Sequence, residues 1–435
     1  MFKKVVAILL AVLMCAAAAV SFVSCKDSDG DAISEDKKDK GIFDDADLAA
    51  FKASTVATAE QLKDLKVGMI CLHDEQSTYD KNFIESMKDA MKTLGMSDSQ
   101  LVLKTGIPEN DECTTAAEEL VEAGCDVIFA DSFGHETYLL GVAKKHPEVQ
   151  FCHATGTQSH TAGLANYHNA FASIYEGRYI AGIVAGMKLN EMISKGEITA
   201  AEAKMGYVGA FPYAEVKSGY TSFYLGAKSV CPSVTMEVVF TDSWYSETEE
   251  KEAANRLIAN KCVLISQHAD SMGAPTACEE KKVPNVAYNG STTAACPNTA
   301  LISSRIDWSP YLQYMITCVA TDTKITNDFC CGIASGSVKL TELNTKVAAE
   351  GTQAKIDEAI AAFKAGTLKV FDVSKDNFIT VNGAKLDKYA ADVDDMGDYK
   401  ADTYVVWDGA FLESYFRSAP YFDVNIDGIT LPKEN

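Results

Sequence analysis

Residues 205–240 read MGYVGAFPYAEVKSGYTSFYLGAKSVCPSVTMEVVF. Met205 to Ala210 is a short apolar run of strand length, broken by Phe211-Pro212-Tyr213. Ala214 to Ser229 has helical length and spacing, and Val234 to Phe240 is a second short apolar run,. Strand, helix, strand is the unit from which parallel sheets are built. Outward from it the rhythm continues in both directions. Upstream come strand Val67 to Leu72, helix Asn82 to Leu94, strand Asp126 to Ala130, helix Glu136 to Lys145, strand Val149 to His153 and helix Ile174 to Leu189. Downstream come helix Glu247 to Asn260, strand Cys262 to Ser266, helix Ala274 to Lys282, and strands Asn285 to Tyr288 and Leu301 to Ile306. This alternation predicts an α/β fold, a parallel sheet with helices on both faces. Two such lobes fit the length better than one.

In open α/β sheets the ligand sits beyond the carboxyl ends of the strands. Here those loops are His73-Asp74-Glu75-Gln76-Ser77-Thr78-Tyr79-Asp80, Asp131-Ser132-Phe133-Gly134, Phe211-Pro212-Tyr213, Asp242-Ser243-Trp244-Tyr245, His268-Ala269-Asp270-Ser271 and Asn289-Gly290-Ser291. Aromatic residues recur beside Asp, Asn and Ser, a mixture suited to a flat ligand with apolar faces and polar edges.

At the start of the chain, Lys3 and Lys4 precede the apolar run Val5 to Val20, then Ser21-Phe22-Val23-Ser24-Cys25 and the polar Lys26-Asp27-Ser28-Asp29-Gly30. That order marks a secretory leader, and Cys25 resembles the acylated cysteine of a bacterial lipobox, with Phe22 where Leu is usual. The other reading is an uncleaved membrane anchor. After Cys25, a run of Asp, Ser, Gly and Lys reads as a tether unable to fold,. A net charge of −22 argues against a nucleic-acid partner and against binding along an anionic lipid surface,. Many of the 13 cysteines sit in or beside strand-like runs, and none has zinc spacing with histidines, so buried free thiols are expected,. From about Gly332 the chain changes character. An amphipathic helix through Ile356, Ile360 and Phe363 leads into Gly/Asp/Asn-rich sequence with short strands such as Val370 to Val373 and Phe378 to Val381.

The stretch NYHNAFASIYEGRYIAGIVAG (166–186) resembles the signature helix of the basic membrane protein (BMP) lipoproteins. The likeness continues in order through Gly206 to Pro212, Gly226 to Val230, Asp242-Ser243-Trp244, Gln267 to Ser271 and Ile306-Asp307-Trp308, from about Lys66 to about Ile316. It implies the two-lobed type I periplasmic-binding fold and a purine nucleoside or base delivered to an ABC permease and its ATPase. Relatives take nucleobases or flavins. It also implies a Ser-Phe-Asn element after the first strand, where Thr78-Tyr79-Asp80 stands here, and a stacking aromatic, which Trp244 fits. Asn289 falls at the place of a ribose-binding Asp, and Asp307 near that of a Lys, so a free base competes with a nucleoside as the ligand.

The expected ligand-binding residues are therefore Tyr79, Asp80, Phe133, Phe211, Trp244, Asp270 and Asn289, with Cys25 as the lipid site. No metal, cofactor or catalytic residue is expected. Phe133 and Phe211 can equally cap the core, Asp80 and Asp270 can cap helices, His73 and His268 read as hydrogen-bonded loop histidines, and Trp308 reads as packing. The expected organisation is leader 1–24, tether and leading helix 25–65, and a two-lobed body 66–340 (lobe 1 about 66–168 and 290–330, lobe 2 about 169–289). Residues 341–435 complete lobe 2 and add a segment. No loop has the Asp density of a calcium-dependent nucleoside hydrolase, and no Gly-x-Ser-x-Gly elbow joins a strand to a helix,. Flavin or sugar binding, or a surface adhesin or sensor, would keep the same scaffold.

Overall fold

The computed structural model describes residues 39–393 and 403–431. The leader 1–24, Cys25 and the tether as far as residue 38 lie outside the described residues. Helix α1 (Asp45–Ser54) comes first, capped by Asp44, whose carboxylate accepts from the Ala46 and Asp47 backbone N–H groups,.

The first sheet follows. Its elements alternate as β1 (Val67–Ile70), α2 (Thr78–Thr93), β2 (Leu101–Lys104), α3 (Asp111–Glu122), β3 (Val127–Ala130), α4 (Glu136–Ala143), β4 (Gln150–His153) and β5 (Tyr167–Ala172). The strands pair in parallel in the order β5-β4-β3-β1-β2. β1 and β3 are buried along their whole length, as strands covered on both faces must be,. Helix α2 turns Phe83, Met87, Ala90 and Met91 into the core, the face its spacing marks. Trp308 stacks on Phe83 with ring centroids 4.1 Å apart and belongs to this core.

The second sheet repeats the plan through α5 (Ile174–Ser194), β6 (Lys204–Gly209), α6 (Ala214–Val230), β7 (Thr235–Phe240), α7 (Glu247–Ala259), β8 (Leu264–Gln267), α8 (Gly273–Lys281), β9 (Asn285–Tyr288) and β10 (Ala300–Ile306). Its parallel order is β10-β9-β8-β6-β7. Helices α5 and α6 approach backbone to backbone. A Cβ at Gly182 would run into the Phe223 carbonyl, and one at Gly226 into the Tyr179 carbonyl. The glycines of these two sequence blocks thus set the packing of the lobe.

The chain then returns. Helix α9 (Ser309–Ala320) carries it back to the first lobe, where β11 (Asp328–Cys331) pairs in parallel with β5. β12 (Val338–Leu340) pairs antiparallel with β10, and α10 (Thr352–Lys364) follows. Three crossings therefore join the lobes, at Ser173, at Asp307-Trp308 and at 332–337. Two expected boundaries move. Residue 168 falls inside β5, which pairs with β4 and keeps its residues in lobe 1. The stretch 300–306 pairs with β9 and lies in the second sheet, not in lobe 1. Backbone pairing decides a strand's sheet, and an apolar run does not record its partner.

Beyond α10 the segment wraps over both lobes. Its last strand, Ile429–Thr430, adds to the free edge of β7. Val370 to Val373 forms no strand and contributes one bridge, Asp372 to Ala410. Of Phe378 to Val381 only Thr380–Val381 is extended, and it turns through Asn382 and Gly383 (φ 51° and 77°) into Ala384–Lys385,. The described cysteines, from Cys71 to Cys331, are buried and unbridged. No helix among the described residues is long and apolar enough to cross a membrane.

Candidate functional site

The loops after β1, β3 and β4 face those after β6, β7, β8 and β9, and a cleft lies between them. Lobe 1 supplies Tyr79, Ser132, Phe133 and Thr155; lobe 2 supplies Glu215, Trp244, His268, Asp270 and Tyr288. The cleft spans about 340 Å³ of space, the part open to solvent included, and the lobes touch across it. Cross-lobe contacts agree. Thr78 Oγ1 donates to the Asp270 carbonyl at 2.9 Å, and the rings of Phe133 and Tyr213 meet at the mouth, 5.9 Å apart.

Each wall residue has a local reason for its pose. Ser77 caps α2, accepting from the Asp80 N–H, and this places Tyr79 in the first turn. The Tyr79 hydroxyl donates to the Asp131 carbonyl at 2.8 Å, so the ring rather than the hydroxyl is offered to the cleft. Thr155 is fixed through the next residues of its loop, whose N–H groups at Thr157 and Gln158 donate to the buried Glu136 carboxylate at 2.9 and 3.0 Å. Trp244 is held edge-on by Phe211, centroids 5.2 Å apart.

A buried polar chain underlies the floor. Arg178 is fully buried and donates to Tyr207 Oη (3.1 Å), Ser266 Oγ (2.7 Å), Ser304 Oγ (3.3 Å) and the Ala287 carbonyl (3.2 Å). Tyr207 Oη, which accepts from Arg178, also shares a hydrogen bond with His268 Nδ1 at 3.2 Å. With Tyr207 as donor, His268 carries its proton on Nε2, which faces Glu215 at 3.6 Å, too long for a hydrogen bond,. Burial holds the imidazole below its ordinary value, despite the Glu215 carboxylate. His268 Nε2 and Tyr288 Oη are both buried without a hydrogen-bond partner among the described residues. Leaving a buried polar atom unpaired costs about 1–3 kcal/mol, so both are candidates for a ligand's polar edge. Asp270 is driven well above the carboxylate range by burial, then by Glu250, Asp80 and Glu215. That shift favours the protonated carboxyl, the form that can donate as well as accept,.

Four expected residues meet here: Tyr79, Phe133, Trp244 and Asp270. Asp80, Phe211 and Asn289 stand behind the wall. The Asp80 carboxylate turns back to accept from the His73 N–H at 2.7 Å, and although burial raises its pKa, the bonds from His73 and Ser77 hold it below the usual range. Phe211 stacks on Tyr213, centroids 5.1 Å apart. Asn289 adopts a left-handed backbone (φ 59°) and donates to Asp270 Oδ1 at 3.4 Å. Asp307 pairs with Lys339 and Arg305, away from the cleft. Glu215, Thr155 and Tyr288 were not legible as site residues. Glu215 reads as an acidic first-turn residue of α6 and Tyr288 as the end of a core strand. His268 could have been found from its place after β8. A thiol and two carboxylates, Cys71, Asp80 and Asp131, approach within 4.8 Å outside the cleft. Burial pushes Cys71 and Asp131 well up while the bonds from His73 and Ser77 hold Asp80 down, so of the three only Asp80 is shifted toward its anion.

The family model for ABC transporter substrate-binding proteins of the PnrA-like (Bmp) type matches residues 67–366. The chain belongs to that family. A purine-binding protein of Brucella abortus is 31% identical over 319 residues, covering 72% of this chain and 85% of the relative. A Haloferax volcanii protein named for glucose binding by an ABC transporter is 30% identical over 233 residues, 54% of this chain and 56% of its own. A solute-binding protein of Conexibacter woesei superposes with a TM-score of 0.56 at 20% identity, over 72% of this chain and 99% of its own. One from Aeropyrum pernix gives 0.59 at 15% identity, over 70% and 92%. The fold is thus the two-lobed type I periplasmic-binding fold. The PnrA-like proteins are extracytoplasmic solute binders, not enzymes, and membership gives this chain a small-molecule ligand and an ABC permease with its ATPase as partners.

Proposed function

We propose that this PnrA-like protein captures a purine, as base or nucleoside, between its lobes and presents it to an ABC importer while anchored by lipid on Cys25. The observation that carries the reading is the cleft itself. The rings of Tyr79, Phe133, Trp244 and Tyr288 line it, while His268 Nε2, Tyr288 Oη and the Asp270 carboxyl offer polar atoms there. Rings recognise the flat faces of a heteroaromatic ligand, and a few convergent polar atoms read its edge. The purine-binding relative in Brucella abortus supports the same ligand class.

Mass spectrometry of the small molecule released when the purified protein is denatured tests the reading. A purine or its nucleoside is expected; a hexose or a flavin in stoichiometric amount would overturn it.

A further inference from the structure

The cleft does not end at its aromatic walls. Phe133, Thr155, Glu215 and Trp244 also border a second chamber with about 690 Å³ of empty space. Its far side is built by Asp392, Arg417, Ala419 and Pro420. All four lie beyond residue 366, where the family likeness stops.

This far wall is fastened to both lobes. On lobe 1 the Ser418 N–H donates to Asp328 Oδ2 at 2.7 Å and the Gly41 N–H to the Tyr415 carbonyl at 2.9 Å. On lobe 2 Glu413 accepts from Ser218, Asp423 pairs with Lys217, and Ile429–Thr430 extends the sheet at β7. Arg417 is only 9% exposed. Its Nε donates to the Ala419 carbonyl at 3.1 Å and its guanidinium lies 5.9 Å from the Tyr421 ring, but among the described residues it pairs with no carboxylate. A mostly buried cation with spare donors therefore borders a chamber that also holds the carboxylates of Glu215 and Asp392 and the hydroxyl of Thr155.

Donors and acceptors mixed in one place suit vicinal hydroxyl groups, each of which gives one hydrogen bond and accepts others. A phosphate would meet the Glu215 carboxylate that borders the chamber,. We propose that the C-terminal segment forms the sugar subsite of this protein, with Arg417 as a specificity-determining residue that holds the ribose of a purine nucleoside. This rests on the purine reading of the aromatic cleft and decides between base and nucleoside.

The test is calorimetry on the folded, ligand-stripped full chain with adenosine, guanosine, adenine and guanine. The parent should bind each nucleoside at least about tenfold tighter than its base. Arg417→Met should weaken the nucleosides by about tenfold to a hundredfold, the loss expected for one charge-assisted hydrogen bond. It should leave the bases within about twofold of the parent, which also reports that the variant is folded. Arg417→Lys should recover part of the nucleoside affinity. If bases bind the parent as tightly as nucleosides, or if Arg417→Met weakens both equally, the sugar subsite is wrong while the purine site stands. If no base or nucleoside binds the parent, both proposals fall.

Discussion

Trp244 sits between two aromatic neighbours, edge-on to Phe211 and tilted against Tyr213, and also borders the cleft. Stacking of a nucleic-acid base on an aromatic side chain is worth roughly 1–3 kcal/mol by alanine substitution. Trp244→Ala should therefore weaken purine binding by about tenfold to a hundredfold, measured by calorimetry. Adenosine, guanosine and inosine should lose affinity alike, because a ring face reads no edge; a loss confined to one of them would place Trp244 at the ligand's edge instead. Asp80 should behave otherwise. Its carboxylate is spent on His73, so Asp80→Ala should lower the melting temperature and leave the ranking among purines unchanged, while a reordered ranking would show that Asp80 reaches the ligand. The sequence made Trp244 legible as a cleft residue because an aromatic among polar neighbours after a strand has little reason to be there for the core; Tyr79 came from the family likeness, and Phe133 read equally as a cap on the core. It hid Tyr288, which caps a buried strand, and misplaced Asp80, because a carboxylate in the first turn of a helix can face either way.

At the scale of elements, alternation showed which stretches become strands and helices, but not their neighbours. β2 is short and half-buried throughout, and β5 (YHNAFA) mixes polar side chains with apolar ones, so neither stands out as an apolar run. Both are held by their partners. The C-terminal segment was legible only as a change of composition, because its order comes from the lobes it crosses. Glu413 shows how. Burial raises its carboxyl to about 7, against the lowering effect of bonds from Ser218 and Ser414. A folded value above the unfolded 4.5 means that the folded state holds the proton more tightly. Its contribution to stability is complete below pH 4.5 and is lost as pH rises through about 7,. Glu413→Gln cannot ionise, so thermal unfolding between pH 4.5 and about 7 should show the parent losing on the order of 2 kcal/mol relative to this variant,. Parallel pH profiles for parent and variant would contradict the buried, protonated carboxyl.

For the whole molecule, three crossings join lobes that touch across the cleft, an arrangement suited to hinge closure on a ligand. The bond from Thr78 to the Asp270 carbonyl and the Phe133–Tyr213 contact are made across the lobes and should break on opening. Small-angle scattering should therefore show a larger radius of gyration for ligand-stripped protein than for ligand-saturated protein; an unchanged profile at saturation would argue against closure. The two-lobed plan was legible from length and alternation, yet the lobe boundaries were not, since they depend on which sheet β5 and β10 join. The proposed anchor rests on Cys25, so Cys25→Ala should release the protein to the soluble fraction or stop its processing, with no incorporation of labelled fatty acid. A variant that is labelled and processed like the parent would refute the anchor. The central claim is that the cleft is a purine site. Calorimetric titration of the ligand-stripped protein with adenosine, guanosine and inosine, beside glucose and riboflavin, tests it most directly. The account expects saturable one-to-one binding of at least one purine nucleoside and none of glucose or riboflavin at the same concentrations; tight binding of glucose or riboflavin with no heat from any purine would contradict it.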